Sequence, residues 1–290
     1  MIKESGSYRL FSFTNNILLT ILAIVCVLPL IHVLAVSFSS SGPANAHAVG
    51  LVPVDFTAEN YRITLQNTRF IRSMFWSVYR LVLGTGIHMV LICLTAYPLS
   101  KSDHAFKGRS VYAWLFVFTM LFSGGLIPQY LVIRNLGLMN TIGALVLPRA
   151  MSVWSMILLI NFFRTVPKDL EDAALIDGAG QLRTLVSIFV PLSKAALATL
   201  GLFHMVFQWN SWFDGLIYMS TQRYPLATFL QTVVVRGTDI LEMTEDQIQR
   251  LSQRGLVSSQ IFIAAVPILM VYPFLQKYFV KGIVLGSVKG

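Results

Sequence analysis

Between Arg9 and Asp55 the chain carries no aspartate, glutamate, lysine or arginine, and most of that stretch is aliphatic. Its centre, "TNNILLTILAIVCVLPLIHVLAVSF" (14–38), is apolar all the way round a helix, so it has no wet face to offer a globular surface. A bilayer-crossing helix needs roughly 20 apolar residues, which this run supplies. Its hydrophobic residues are continuous rather than alternating, which argues against the strands of a membrane barrel. Five further runs have the same character: 72–99, 110–133, 141–163, 195–220 and 255–276, interrupted by Arg80, Arg149 and Asp214. Charged residues make up only 12% of the chain, against about 25% in soluble domains. The mean hydropathy of +0.68 agrees. The expected fold class is an all-α polytopic membrane protein with six transmembrane helices, forming one transmembrane domain over 1–290.

The basic residues set an expected orientation, because lysine and arginine collect on the cytoplasmic side. With the N-terminus inside, the inner segments are 1–13, 100–109, 164–194 and 277–290. They hold every lysine of the chain: Lys3, Lys101, Lys107, Lys168, Lys194, Lys277, Lys281 and Lys289. Both termini are then cytoplasmic, and the net charge of +9 is mainly a topology signal. No soluble basic segment is present to serve nucleic-acid binding. Ala44-Asn45-Ala46 has the form of a signal-cleavage site, but the preceding apolar run exceeds the 7–15 residues usual for a signal peptide, so it is expected to be retained. Cys26 and Cys93 fall inside spans and imply no disulfide framework.

"KDLEDAALIDGAGQLRTLVSIFVPL" (168–192) is the anomaly: a short charged segment between greasy runs. Thr165 is a possible helix cap and Pro167 suits a first turn. Asp169, Glu171 and Asp172 follow where a helix dipole favours acids. Leu170, Ala173 and Ala174 share a face. Asp177-Gly178 signals the helix end, and a second amphipathic piece over 181–190 stops at Pro191. The expected object is a helix–turn–helix elbow with a small-residue surface and an acidic rim.

The spacing Asp172-Ala173-Ala174, Gly178, nine residues, Ile188, Val190-Pro191 resembles the EAA loop of binding-protein-dependent ABC importer permeases, with Asp172 for the usual glutamate and Val190 for the common leucine. "SGGLIPQYLVIRNLGLMNT" (123–141), "WNSWFDGLIYM" (209–219) and "YPFLQKYFVKGIVLGSVKG" (272–290) resemble carbohydrate-importer permeases of the maltose-transporter type, nearest the branch that imports oligosaccharides, including acidic ones such as alginate fragments. The resemblance implies a type I ABC importer permease fold in the cell inner membrane, with 164–194 as a cytoplasmic coupling helix. It further implies a second homologous permease, two ATPase subunits that bind ATP and Mg, and an extracytoplasmic solute-binding protein docking on 39–70 and 221–254. The coupling residues it points to are Glu171, Asp172, Ala173, Ala174, Asp177, Gly178 and Pro191. Asp172 or Glu171 would pair with a basic residue of the ATPase, and Gly178 would permit the reversal. The C-terminal segment is similar to a family tail that approaches the ATPases.

No G-x-x-x-x-G-K-S/T occurs, so the sequence offers no phosphate-cradling loop. Gly84-Thr85-Gly86 reads instead as a place for close helix packing. His32, His47, His88, His104 and His204 are scattered and form no metal-ligand spacing, so neither a metal nor any other cofactor is expected in this chain. No catalytic constellation suggests an enzyme. For the substrate path, charges within spans usually face a cavity or a partner. Arg80 and Arg149 are the candidates, and a guanidinium suits the carboxylate of an acidic sugar. Snorkelling, or pairing with Asp214, is the alternative. Trp209, Trp212 and Tyr218 could stack on sugar rings or sit in an interfacial belt, and Asn210 could bond a hydroxyl or a neighbouring helix. A stand-alone secondary transporter or channel is the competing class. It would call for matched broken helices, and Pro29, Pro98 and Pro267 form no matched pair.

Overall fold

A computed structural model describes residues 6–236 and 252–287. Among these residues the regular structure is helical, apart from one isolated bridge, Ser39 with Phe56. The helices that matter below are α1 (Gly6–Ser37), α2 (Ser41–Asn45), α3 (Glu59–Gln66), α4 (Thr68–Ser100), α5 (Arg109–Leu121), α6 (Leu126–Asn135), α7 (Ile142–Val146), α8 (Val153–Phe163), α9 (Lys168–Ile176), α10 (Gln181–Thr184), α11 (Val190–Leu192), α12 (Lys194–Asn210), α13 (Phe213–Tyr218), α14 (Leu226–Arg236) and a C-terminal helix, Gln253–Ser287. Contacts divide the chain into two units: Met1–Ile71 with Leu230–Pro267, and Arg72–Phe229 with Ile268–Gly290.

Among the described residues, three helices are long and apolar enough to cross a membrane alone: α1, α4 and Gln253–Val271 of the C-terminal helix. The count reaches six when each of three bent pairs is one crossing. The expected third span, 110–133, is such a pair. α5 and α6 meet at 112° because Ser123-Gly124-Gly125 cannot continue a helix, and Gly125 lies at φ +82°. The expected fourth span bends by 50° between the 3₁₀ turn Leu147–Arg149 and α8. The expected fifth span ends earlier than its apolar run. α12 stops at Asn210, Ser211 and Trp212 break it, and α13 follows.

In the first unit, α1 presents nearly every side chain outward until Ala35, Val36 and Ser37. Beyond it, Phe38 stacks on Phe56 and Tyr61, and the Asn60 side-chain amide donates to the Ser37 and Ser39 carbonyls at 3.0 and 3.2 Å. The C-terminal helix approaches closely here. A Cβ on Gly255 would sit 2.8 Å from the Asn60 side chain, and the Ser259 and Thr64 hydroxyls are 2.7 Å apart.

In the second unit, α4 is inverted relative to a soluble helix. Ser73, Ser77, Arg80, Gly84, His88 and Ile92 are buried at spacings of three and four, while Val78, Val82 and Val90 face outward. A bilayer accepts this arrangement, since apolar surface costs nothing against lipid and polar groups must find partners inside the protein. Further along, Ile92, Ala96, Tyr97 and Leu99 of α4 pack with Met156, Leu159 and Phe163 of α8, with Leu185 and Phe189, and with Leu197 and Leu200 of α12.

Candidate functional site

The elbow forms much as the sequence indicates. α9 starts directly after Pro167, with Asp169 and Glu171 in its first turn. Thr165 does not cap it: its hydroxyl turns back to the Phe162 carbonyl at 2.7 Å, and Pro167 occupies the cap position without a side-chain bond. Gly178 lies at φ +79°. Its N–H reaches the Leu175 carbonyl and that of Ala179 reaches Ala174, the paired bonds of a Schellman helix end. Pro191 is not the stop. The second limb runs on through Leu192, with a π turn over Leu185–Phe189, and the chain then turns by 85° into α12. In that turn the Val190 N–H reaches back to the Leu185 carbonyl. Such wide turns occur where the regular ladder is interrupted, as a nearby proline does by lacking an N–H.

Both limbs are tied to the end of α4. The Lys101 ammonium lies 2.5 Å from Glu171 Oε1, 3.9 Å from the Tyr97 ring centroid and 4.2 Å from that of Phe189. The Tyr97 hydroxyl donates to Gln181 Oε1 at 2.8 Å. Burial pushes the Lys101 ammonium below the usual lysine range, against the hydrogen bond and charge of Glu171, which pull it up. Asp172 differs from its neighbour: it is exposed and makes no ion pair among the described residues. Ala173, Leu175, Ile176, Asp177 and Leu182 are exposed with it, while Ala174 is half-buried. The outer face of the elbow is thus a mixture of small, apolar and acidic groups.

A polar seam joins α4 to α12 and α13. Arg80, fully buried, donates from Nε to Gln208 Oε1 at 2.8 Å and from Nη1 to the Ser211 carbonyl and Asp214 Oδ1 at 3.1 Å each. Its Nη2 forms an ion pair with Asp214 Oδ2. The guanidinium fixes which end of the Gln208 amide is oxygen, so the NH₂ end faces His204 Nε2 at 3.0 Å. That nitrogen must accept, and the other ring nitrogen of His204 bonds the Gly84 backbone. His204 stacks on His88 with centroids 3.9 Å apart, and His88 Nδ1 lies 3.0 Å from the Ala150 carbonyl. Gly84 makes room, because a Cβ there would meet the Gln208 amide nitrogen at 2.7 Å. Gly86, by contrast, has open space around it. Arg80 therefore takes the Asp214 pairing. The scattered histidines of the sequence include one stacked pair, whose only linear clue is that His88 and His204 each lie four residues from a buried polar or small residue.

A cavity of about 890 Å³ opens beside this seam. Arg149, Gln129, Ser152, Trp154, His204 and Phe207 are among its walls, and no carboxylate among the described residues lines it. The Arg149 guanidinium lies over the Phe207 ring at 5.0 Å. It is exposed and meets no carboxylate among the described residues. The other residues singled out for the substrate path lie off these walls. Trp209 is buried, Asn210 donates to the Val206 carbonyl at 2.9 Å, and Trp212 packs edge-on against Phe213. The 123–141 stretch is fastened elsewhere. Asn140 takes φ +60°, its N–H reaches the Tyr218 carbonyl, and its side-chain oxygen accepts from Ser220 N and Oγ. The predicted docking loop 221–254 lies partly outside the described residues.

An all-helical chain with up to six membrane crossings and a folded elbow between two of them has the form of an integral membrane permease. No family model matches the chain. It is 38% identical over 97% of its length to the polygalacturonan/rhamnogalacturonan transport system permease protein YtcP of Bacillus subtilis (strain 168), covering 99% of that protein. It is 29% identical to the trehalose/maltose transport system permease protein MalG of Thermococcus litoralis, over 93% of this chain and 94% of that one. Among solved structures, it matches a chain of a bacterial ABC transporter involved in the import of the acidic polysaccharide alginate, with a TM-score of 0.87, 30% identity, and coverage of 96% of this chain and 100% of that one. The chain belongs to the permease family of sugar ABC transport systems. A stand-alone carrier or channel is not favoured.

Proposed function

We propose that this chain forms half of the translocation pathway of an ATP-driven importer for acidic oligosaccharides. The observation that carries the acidic preference is Arg149: an exposed cation on the wall of a cavity that no carboxylate of the described residues lines. A guanidinium binds a carboxylate through two parallel hydrogen bonds, and Trp154, Phe203 and Phe207 offer ring faces beside it. The relatives named for polygalacturonan and for alginate handle uronate polymers of that chemistry. A second homologous permease completes the pathway, and an extracytoplasmic solute-binding protein delivers the sugar to the segments 39–70 and 221–254. A solved alginate transporter in complex with a pentasaccharide-bound periplasmic protein supports that arrangement by fold.

The chain lies in the cytoplasmic membrane with both termini inside, which places the elbow where two ATPase subunits can grip it. ATP and Mg²⁺ bind to those subunits, since this sequence has no phosphate loop. Asp172, Ala173, Leu175 and Ile176 form the gripped face. Arg149→Gln in the reconstituted complex is expected to lower uptake of oligogalacturonate or oligoalginate about tenfold, the loss of one charge-assisted bidentate contact, and to spare a neutral oligosaccharide of equal length. Stimulation of ATP hydrolysis by neutral sugars alone would reject the acidic preference.

A further inference from the structure

We infer that Glu171 and Lys101 form the strut through which the elbow drives α4, and that of the neighbours Glu171 and Asp172 it is Asp172 that faces outward to the ATPase. The inference rests on the elbow being the gripped element, and it concerns the other side of that element.

The linear sequence makes Glu171 and Asp172 equivalent. The structure separates them. Glu171 turns inward onto Lys101, where the two side chains are 20% and 12% exposed, while Asp172 is open. Lys101 is held from three directions. The Tyr97 and Phe189 rings both lie against its ammonium, and its own carbonyl accepts from Arg109 Nη1 at 3.0 Å. The two rings stand at 80° to each other and form a corner against the ammonium, which is attracted to both, so its position is set before Glu171 arrives. Tyr97 lies in the last turn of α4 and Lys101 directly follows its end. The first reaches the second limb through Gln181, the second reaches the first limb through Glu171. Two ties, one per limb, resist both sliding and rotation of the elbow against α4.

They act where α4 is weakest. Pro98 has no N–H, so the last turn lacks the bond that would hold the Leu94 carbonyl. Beyond that turn α4 is one unbroken helix back to the seam. His88 lies about 20 Å from Lys101 at 1.5 Å per residue, and its ring contacts the Ala150 carbonyl, next to Arg149 at the cavity wall. A push on α9 therefore has a continuous packed route to the cavity.

The test uses the complete transporter in proteoliposomes, with three readouts: ATPase subunits recovered with the permeases, ATP hydrolysed, and sugar moved per ATP. Glu171→Gln and Lys101→Gln are each expected to keep the ATPase subunits bound and to lower sugar moved per ATP about fivefold. The double variant should be no worse than either single one, as two halves of one contact require. Lys101→Arg, which keeps a cation against the rings, should restore most of the ratio. A Glu171→Gln complex that sheds its ATPase while Lys101→Gln keeps it would overturn the strut and assign Glu171 to the ATPase interface. Additive losses, or an unchanged ratio in both single variants, would overturn it too. Asp172→Arg separates the two levels: if it leaves ATPase binding and the ratio intact, the gripped-face assignment fails, whereas its loss alongside silent Glu171 and Lys101 variants removes only the strut.

Discussion

Arg80 and Arg149 are the same residue type in the same kind of apolar run, and nothing linear distinguishes them. The distinction comes from residues 128 and 134 positions away, Gln208 and Asp214, which consume the donors of Arg80. A buried charge stripped of its partner costs more than the pair contributes. Asp214→Ala is accordingly expected to lower stability by about 3 kcal/mol, the usual scale for an orphaned buried charge, read as a drop in the thermal midpoint of the detergent-solubilised complex. Arg80→Ala/Asp214→Ala should recover part of that loss. If the double variant is the least stable of the set, the pair contributes far more than its own solvation penalty and this account fails. The same reasoning explains the aromatic residues. Trp209 and Trp212 suit sugar stacking by type, yet burial and edge packing take them off the cavity wall, which Trp154 and Phe207 occupy instead.

Elements were legible where local chemistry decides them. The elbow needs acids in a first turn, a glycine at positive φ and a small face, and all are contiguous in the chain, so reading and structure agree except at Thr165 and Pro191. Bends within spans are less legible, because hydropathy averages over the two or three residues that cause them. Ser123-Gly124-Gly125 sits in a run that a composition window scores as one crossing, and the backbone turns by 112° there. Gly178 offers an element-scale test. Open space surrounds it, so a side chain meets no clash, and the penalty comes from φ alone, about 1–2 kcal/mol for a non-glycine residue in the left-handed region. Gly178→Val should still insert and assemble but let ATP hydrolysis run with little sugar moved, while Gly178→Asn should be nearly silent. Equal uptake by the two would show that the Schellman turn does not set the elbow.

At the scale of the molecule, the six-span reading of the sequence stands as up to six crossings among the described residues: three long helices, two bent pairs, and α12, whose bent partner is the second limb of the elbow. What hydropathy could not reveal is how little of the apolar surface the chain covers for itself. The most hydrophobic part of α1 has none of its residues buried, and α5 buries none either. In the membrane those faces meet lipid or, in the assembly proposed above, a second permease. Purified from cells that carry the whole system, the chain is expected at 1:1 with another permease, by native mass spectrometry in detergent. A stable lone species with full transport in proteoliposomes would contradict the assignment.

The inverted stripe of α4 bears on how this protein should respond to temperature. Folding in water draws its curvature with temperature from hydrocarbon leaving the solvent, which gives a large heat-capacity change. When α4 parts from its neighbours inside a bilayer, its valines stay dry before and after, and what is exchanged is Ser77 leaving the Leu226 N–H, Arg80 leaving Gln208 and His88 leaving the Ala150 carbonyl for other hydrogen-bond partners. The melting of that seam should therefore be nearly straight in a Gibbs–Helmholtz plot, so cooling would tighten it steadily rather than toward a maximum, and the grip between these helices would have no cold limb.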